Sequence, residues 1–289
     1  MISFTITFLG ILAGTLIPVI VALYFVSAIN IGNKNISVSR YTAALGLGIL
    51  FWFYSDVMLD ATQIGVNSGL SGGASQAGLV IAFVIGVLLL VWLDRLAFSR
   101  KGVVNVKQDA SLSSFIFLIP IAVALGIGVH GLGEGADFAT IAATTNSNSL
   151  IVAYGGYGPL ISYVSHKFLE GVIVGASFSA YVIVYRRDQL KNWASLMVPL
   201  LVAIVVVPTL IGTTIGYYVL SFDPTYFFAF ASGASIYIAL RLVEPVLVSG
   251  WGAGYALSPI SAKLVVAILI GFLLLYTAAT FHSILISPG

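Results

Sequence analysis

Two short segments of this 289-residue sequence repeat one arrangement of residue types that bind metal ions. His130 is followed four residues later by Glu134, His166 is followed four residues later by Glu170, and a glycine comes directly after each glutamate. Side chains four residues apart lie on one face of a helix, one turn from each other. Two such helices that face each other would bring two imidazoles and two carboxylates to one point, and this donor set suits Zn²⁺ or Fe²⁺.

The same side chains could instead form internal ion pairs or hydrogen bonds between helices. A single His–Glu pair would favour that structural interpretation, whereas two matching copies on consecutive helices favour a metal site. We assign two further carboxylates to the metal-binding set. Asp137 lies seven residues after His130 on the same stripe, and it is either an outer approach ligand or a helix-end charge. Asp56, in an earlier apolar segment, is either a ligand or one half of an ion pair.

Other charges within apolar segments leave pairing alternatives open. Asp56 or Asp60 could pair with Arg241 or Lys263. Arg241 could equally pair with Glu244, which lies three residues later and therefore on the same side of a helix. A charge within a membrane-spanning helix costs about 2.5–3.5 kcal/mol on insertion scales, so each of these residues needs a partner or a function.

Composition identifies the environment in which these groups lie. Hydrophobic residues make up 60% of the chain and charged residues only 8%, against about 25% charged in an ordinary soluble domain. The sequence is therefore that of an integral membrane protein, and a soluble enzyme is excluded. Cysteine is absent, which excludes disulfides, thiolate metal sites and cysteine nucleophiles. The net charge of +2 leaves too few basic residues for a nucleic-acid-binding face.

Eight apolar segments are long enough to cross a bilayer, which needs about 20 residues at 1.5 Å each. The segments between them are short, so we expect one transmembrane domain over residues 1–289 with no soluble appendage. The predicted spans are residues 4–30, 41–64, 76–97, 113–143, 157–185, 194–220, 226–248 and 260–285.

The basic residues predict the orientation of these spans. Most of the 12 lysines and arginines fall in the connections after the first, third and fifth spans, and the other connections carry none. Positively charged connections stay in the cytoplasm. The chain is therefore expected to be a multi-pass protein of the cell membrane with its N- and C-termini outside.

In its histidine-containing segments the sequence resembles the ZIP (Zrt/Irt-like) family of divalent metal transporters, and the resemblance covers nearly the whole chain. It is specific in the fourth and fifth spans and weaker elsewhere. The matching segments are His130…Glu134-Gly135, His166-Lys167…Glu170-Gly171, Val207-Pro208…Gly212, Ala231–Tyr237 and Asp56–Ala61. The resemblance implies an all-α bundle of eight helices that imports a divalent cation through a site between the fourth and fifth helices. It also implies that His130, Glu134, His166 and Glu170 are the metal ligands.

Three positions depart from the family pattern. Many members have asparagine after the first histidine, where this chain has Gly131. Some members bind a second metal ion through residues at the positions of Lys167 and Val207. An ammonium group repels a second cation and valine cannot bind one, so we expect one metal ion per site, with Lys167 in the place of the second.

The sequence therefore predicts a transporter and not an enzyme. Zn²⁺, or alternatively Fe²⁺, Mn²⁺ or Cd²⁺, is the transported substrate, and no catalytic cofactor is expected. The expected partners are the metal ion and the lipid bilayer, without nucleic acid; a homodimer is left open. Two alternatives stay open as well. One is an intramembrane zinc-dependent hydrolase, although four ligands leave no open position for its water. The other is a structural or channel-like membrane protein whose charges pair internally.

Overall fold

The chain folds almost entirely into helices. A computed structural model describes residues 2–32, 36–67, 74–98, 117–145, 149–180, 190–249, 256–257 and 261–283. The long helices within these ranges, labelled α1 to α8, are Phe4–Gly32, Ile36–Asn67, Ala74–Phe98, Leu118–Thr144, Tyr157–Phe178, Leu190–Tyr218, Thr225–Leu247 and Ala262–Ser283. A single helical turn, Leu150–Ala153, precedes α5, and two antiparallel two-residue strands, β1 (Val248–Ser249) and β2 (Ala256–Leu257), follow α7.

Seven of these helices are long and apolar enough to cross a membrane, when the described residues are considered. The helix outside this set is α5, because His166, Lys167 and Glu170 lower its hydropathy. Helices suit a bilayer because every backbone hydrogen bond is made within the same segment. The predicted class, an all-α multi-pass membrane protein, is therefore confirmed.

The first connection is shorter than the sequence indicates. Residues 30–40 contain several polar side chains and were expected to link two spans, yet α1 continues to Gly32 and α2 already begins at Ile36. Asn30 lies within α1, and its buried side-chain amide is satisfied by a 2.8 Å hydrogen bond that it donates to the carbonyl of Val26. Arg40 donates a 2.9 Å hydrogen bond to the carbonyl of Val246 near the end of α7, where a cation meets the negative end of the helix dipole.

The helices form two groups by their packing. In the first group α4 packs most extensively against α6, and α1 packs against α5 and α6. In the second group α2 packs against α7 and α8, and α3 packs against α7. The groups meet where α4 contacts α7 and where α5 contacts α8 and α2. The two helices that carry the His–Glu pairs thus belong to one group and face the other.

Glycines allow the backbones of α4 and α6 to touch. A methyl group at Gly212 or Gly216 of α6 would collide with the carbonyl oxygen of Leu132 or Ala136 in α4. Small residues spaced four apart permit this close approach in membrane helices. The Gly212/Gly216 pair in the sequence therefore lies at a helix interface and brings α6 within reach of the ionisable groups on α4.

Candidate metal centre

The two His–Glu pairs converge between α4 and α5. Nε2 of His130 lies 3.3 Å from Oε1 of Glu134 and 3.6 Å from Oε1 of Glu170. Nε2 of His166 lies 3.4 Å from the same Glu170 oxygen. One ligand atom from each of the four residues lies within 4.8 Å of all the others. Three of the side chains are buried, and Glu134 retains 14% exposure.

Aromatic side chains from the second helix group hold the imidazoles in place. Phe53 of α2 meets the ring of His130 edge-on at 4.8 Å between centroids, and it meets the ring of His166 at 5.8 Å. Phe228 of α7 lies 5.5 Å from His130. The two imidazoles stack 5.9 Å apart with an angle of 24° between their planes. These contacts restrict both rings and surround them with apolar surface.

Lys167 places a positive charge inside the same cluster. Its side chain is fully buried, and its ammonium group donates hydrogen bonds of 2.9 and 2.8 Å to the two carboxylate oxygens of Glu170. The ammonium also forms an ion pair with Glu134 and lies 5.7 Å from the centre of the Tyr163 ring. Buried carboxylates need such compensation, because an unpaired charge in an apolar interior is costly. Lys167 therefore binds the same carboxylates that a metal ion would use.

Gly131 lies next to the ammonium group of Lys167. A Cβ at Gly131 would collide with the hydroxyl of Thr209 on α6 and would lie 3.7 Å from the Lys167 ammonium. A side chain at position 131 would therefore require Thr209 to move, whereas a methyl group there would only touch the Lys167 ammonium. Thr209, which the sequence did not single out, completes this wall of the site.

The other predicted carboxylates lie outside the four-residue group. Asp56 Oδ2 is 3.9 Å from Nδ1 of His166, the nitrogen that does not face the carboxylate of Glu170. Asp137 is exposed on α4, almost one turn beyond Glu134. The side chain of Asp60 lies outside the described residues.

A second charged cluster joins the ends of α3 and α7. Arg241 forms an ion pair with Asp94 and a 2.9 Å bond with Glu244, and the Tyr237 hydroxyl donates a 3.0 Å hydrogen bond to Asp94. The Arg241–Glu244 pair is one of the pairs that the sequence analysis left open. Asp94 could not be recognised from the sequence as a partner of Arg241, because 147 residues separate the two.

We expect Asp94→Ala to weaken the fold and to leave metal binding unchanged. The change removes one of the carboxylates that pair with Arg241, whose side chain is only 20% exposed, and loss of one partner of a buried ion pair costs about 3 kcal/mol. Glu244→Gln is the matched control, since the carboxylate at position 244 is 33% exposed and its loss should cost less. Thermal unfolding and zinc titration of the purified variants test this. A lowered zinc affinity in Asp94→Ala would show that the two clusters are not independent.

The cluster between α4 and α5 fits a divalent cation. Among the described residues, Nε2 of His130 and Nε2 of His166 are buried without a hydrogen-bond partner. Burying an unsatisfied polar atom lowers the free energy of unfolding by about 1–3 kcal/mol, and a bound cation would remove this cost. A tetrahedral ion with bonds of about 2.0–2.1 Å holds neighbouring ligand atoms about 3.3–3.4 Å apart. Three nitrogen–oxygen separations, at 3.3–3.6 Å, are close to that value, and all four ligand atoms lie within 4.8 Å of one another.

No protein-family model matches this chain, and no curated protein matches it. The fold and the site alone define the class of this protein. It is a helical, multi-pass membrane protein with a buried His/Glu cluster that can bind a metal ion.

Proposed function

We propose that the protein is a divalent metal ion transporter of the ZIP type that carries Zn²⁺ or Fe²⁺ toward the cytosol. One observation carries the proposal: the potential ligands His130, Glu134, His166 and Glu170 lie within 4.8 Å of one another inside a bundle of membrane helices. Ionisable residues in such a position mark ion pathways.

In this proposal α5 is the eighth membrane span. Its 22 residues would extend about 33 Å at 1.5 Å per residue, enough to cross the hydrocarbon core. Its charges are compensated by one another and by α4, which explains how a helix of lower hydropathy would be tolerated. With eight spans and the basic connections in the cytoplasm, both termini lie outside.

The proposed cycle uses the two helix groups. His166 lies near the middle of α5 and His130 near the middle of α4, and a site at the bilayer midplane is typical of alternating-access transporters. One helix group moves relative to the other and takes the metal site with it. The moving group consists of α1, α4, α5 and α6, and the other group of α2, α3, α7 and α8. The entering ion displaces the Lys167 ammonium from the carboxylates, and the ammonium returns when the ion leaves. One metal ion is carried per site, and Lys167 takes the place of a second.

Uptake of radioactive Zn²⁺ into proteoliposomes tests the proposal. We expect saturable uptake by the wild type and loss of it in the double variant His166→Ala/Glu170→Ala, because two of four ligands are removed. Lys263→Ala is the matched control, since Lys263 is exposed on α8 outside the cluster, and it should transport like the wild type. Competition by Fe²⁺, Mn²⁺ and Cd²⁺ reports selectivity. Failure of the folded wild type to transport any of these ions would refute the proposal.

A further inference from the structure

Lys167 lies between two kinds of partner on its own helix. Glu170, three residues later, accepts hydrogen bonds of 2.9 and 2.8 Å from the ammonium group. Tyr163, four residues earlier, has its ring beneath the same ammonium, with 5.7 Å between Nζ and the ring centre. Side chains on a helix lean toward its N-terminus, over the residues three and four positions earlier. A lysine at position 167 therefore leans naturally toward Tyr163, and the carboxylate of Glu170 draws it the other way.

A cation that binds Glu134 and Glu170 takes these partners from the ammonium. The side chain of Lys167 is fully buried, so the displaced ammonium has no direct access to water. An unpaired charge in an apolar interior is costly. The affinity of the site for the ion therefore depends on a second position for the ammonium inside the bundle.

Two tyrosines offer such a position on the side of Lys167 away from Glu170. Tyr163 is buried, and its hydroxyl shares a 2.7 Å hydrogen bond with Thr15 of α1, which fixes the ring. Tyr154 packs against this ring with 5.6 Å between centroids. Both side chains approach one point beside Gly14 of α1, where a methyl group would lie 3.2 Å from the Tyr163 ring and 3.9 Å from the Tyr154 hydroxyl.

The hydroxyl of Tyr154 is an unused hydrogen-bond acceptor. It is buried and has no hydrogen-bond partner among the described residues. The other two buried tyrosines in the described ranges, Tyr163 and Tyr237, each form a hydrogen bond through the hydroxyl. A phenolic oxygen can accept a hydrogen bond from an ammonium group, which has three donors. The metal-free protein thus holds a buried acceptor next to the ring over which Lys167 lies.

We propose that the ring of Tyr163 and the hydroxyl of Tyr154 form a second binding position for the ammonium of Lys167. The ammonium occupies it while a divalent cation holds the carboxylates, a step that rests on the function proposed above. An aromatic ring attracts a cation within about 6 Å of its centre, most strongly where water is excluded. The two tyrosines are positioning residues: they do not touch the ion, and they set its affinity by the ease with which Lys167 leaves.

Tyr154→Phe tests this position with little change in packing. The hydroxyl is unpartnered in the metal-free protein, so its loss should not lower the unfolding temperature without zinc. With zinc bound, the ammonium loses an acceptor, and we expect zinc affinity to fall by about 10-fold, as for a hydrogen bond to a charged group. Tyr237→Phe is the matched control, because it removes a hydroxyl from the Asp94 cluster and should leave zinc affinity unchanged.

Combination with Lys167→Met separates this role from a purely structural one. Tyr163→Leu removes the ring and should weaken zinc binding by about 10-fold or more when Lys167 is present. In the Lys167→Met background, neither Tyr163→Leu nor Tyr154→Phe should alter zinc affinity, because no ammonium is displaced. A double-mutant cycle measures this coupling. A tyrosine that only supported the fold would change affinity equally in both backgrounds.

Calorimetric zinc titration and thermal unfolding of the purified variants give the answer. An unchanged zinc affinity in Tyr154→Phe, or an equal loss with and without Lys167, would overturn the second ammonium position and leave the proposed metal site intact. Absence of zinc binding by the folded wild type would overturn both the second position and the proposed function.

Discussion

Glu170→Gln should abolish high-affinity zinc binding. The carboxylate of Glu170 is the centre of the cluster, since one of its oxygens lies 3.6 Å from Nε2 of His130 and 3.4 Å from Nε2 of His166. Glutamine has the same shape without the negative charge, and Lys167 then loses one of its two described carboxylate partners and keeps Glu134. We expect zinc affinity to fall by about 100-fold or more, because loss of a residue that merely supports a ligand already costs 10–100-fold.

Calorimetric titration of the purified protein in detergent measures this effect. Glu244→Gln is the matched control, because it makes the same chemical change in the charged cluster at the end of α7. The control should bind zinc like the wild type. Zinc binding by a folded Glu170→Gln variant with unchanged affinity would rule out the cluster between α4 and α5 as the metal centre.

Lys167→Met should make the metal-free protein less stable and its zinc binding tighter. Methionine keeps a long apolar side chain but removes the ammonium that Glu134 and Glu170 share. Loss of one partner from a buried ion pair costs about 3–5 kcal/mol. A divalent cation then meets two carboxylates with no competing positive charge, so its affinity rises. Stabilisation by a bound ion grows with the ratio of the ion concentration to Kd. At the same zinc concentration, zinc should therefore raise the unfolding temperature of Lys167→Met by more than it raises that of the wild type.

Thermal unfolding with and without zinc measures both effects in one experiment. Lys263→Met is the control, because Lys263 is exposed and the chemical change is identical. It should alter neither the unfolding temperature nor the zinc-induced shift. Weaker zinc binding in Lys167→Met than in the wild type would show that Lys167 supports the ion and does not compete with it.

The sequence predicted the part of the site that depends on local geometry. The spacing of four residues puts His130 beside Glu134 and His166 beside Glu170 on any helix, and the repetition of the motif indicated that the two helices meet. The unusual Lys167 was visible for the same reason, since it lies within one of these motifs. Composition alone was enough to identify a membrane protein built from helices.

Contacts between distant segments could not be predicted in this way. Phe53 lies far from both histidines in the chain, and nothing in its own segment marks it as their neighbour. Asp94 finds Arg241 only because α3 packs against α7. The contact between Arg40 and the carbonyl of Val246, 206 residues away, likewise exists only because α2 packs against α7.

The ion pairs around Lys167 determine the electrical sign of the site. With neutral histidines, the carboxylates of Glu134 and Glu170 and one ammonium leave one net negative charge, and a divalent ion converts this to one net positive charge. In the proposed cycle the loaded site moves inward as a cation and the empty site returns outward as an anion. A voltage that is negative inside favours both movements, by about 2.3 kcal/mol per elementary charge for each 100 mV crossed. If both histidines stay neutral throughout the proposed cycle, import would be electrogenic and driven by membrane voltage in both halves of the cycle.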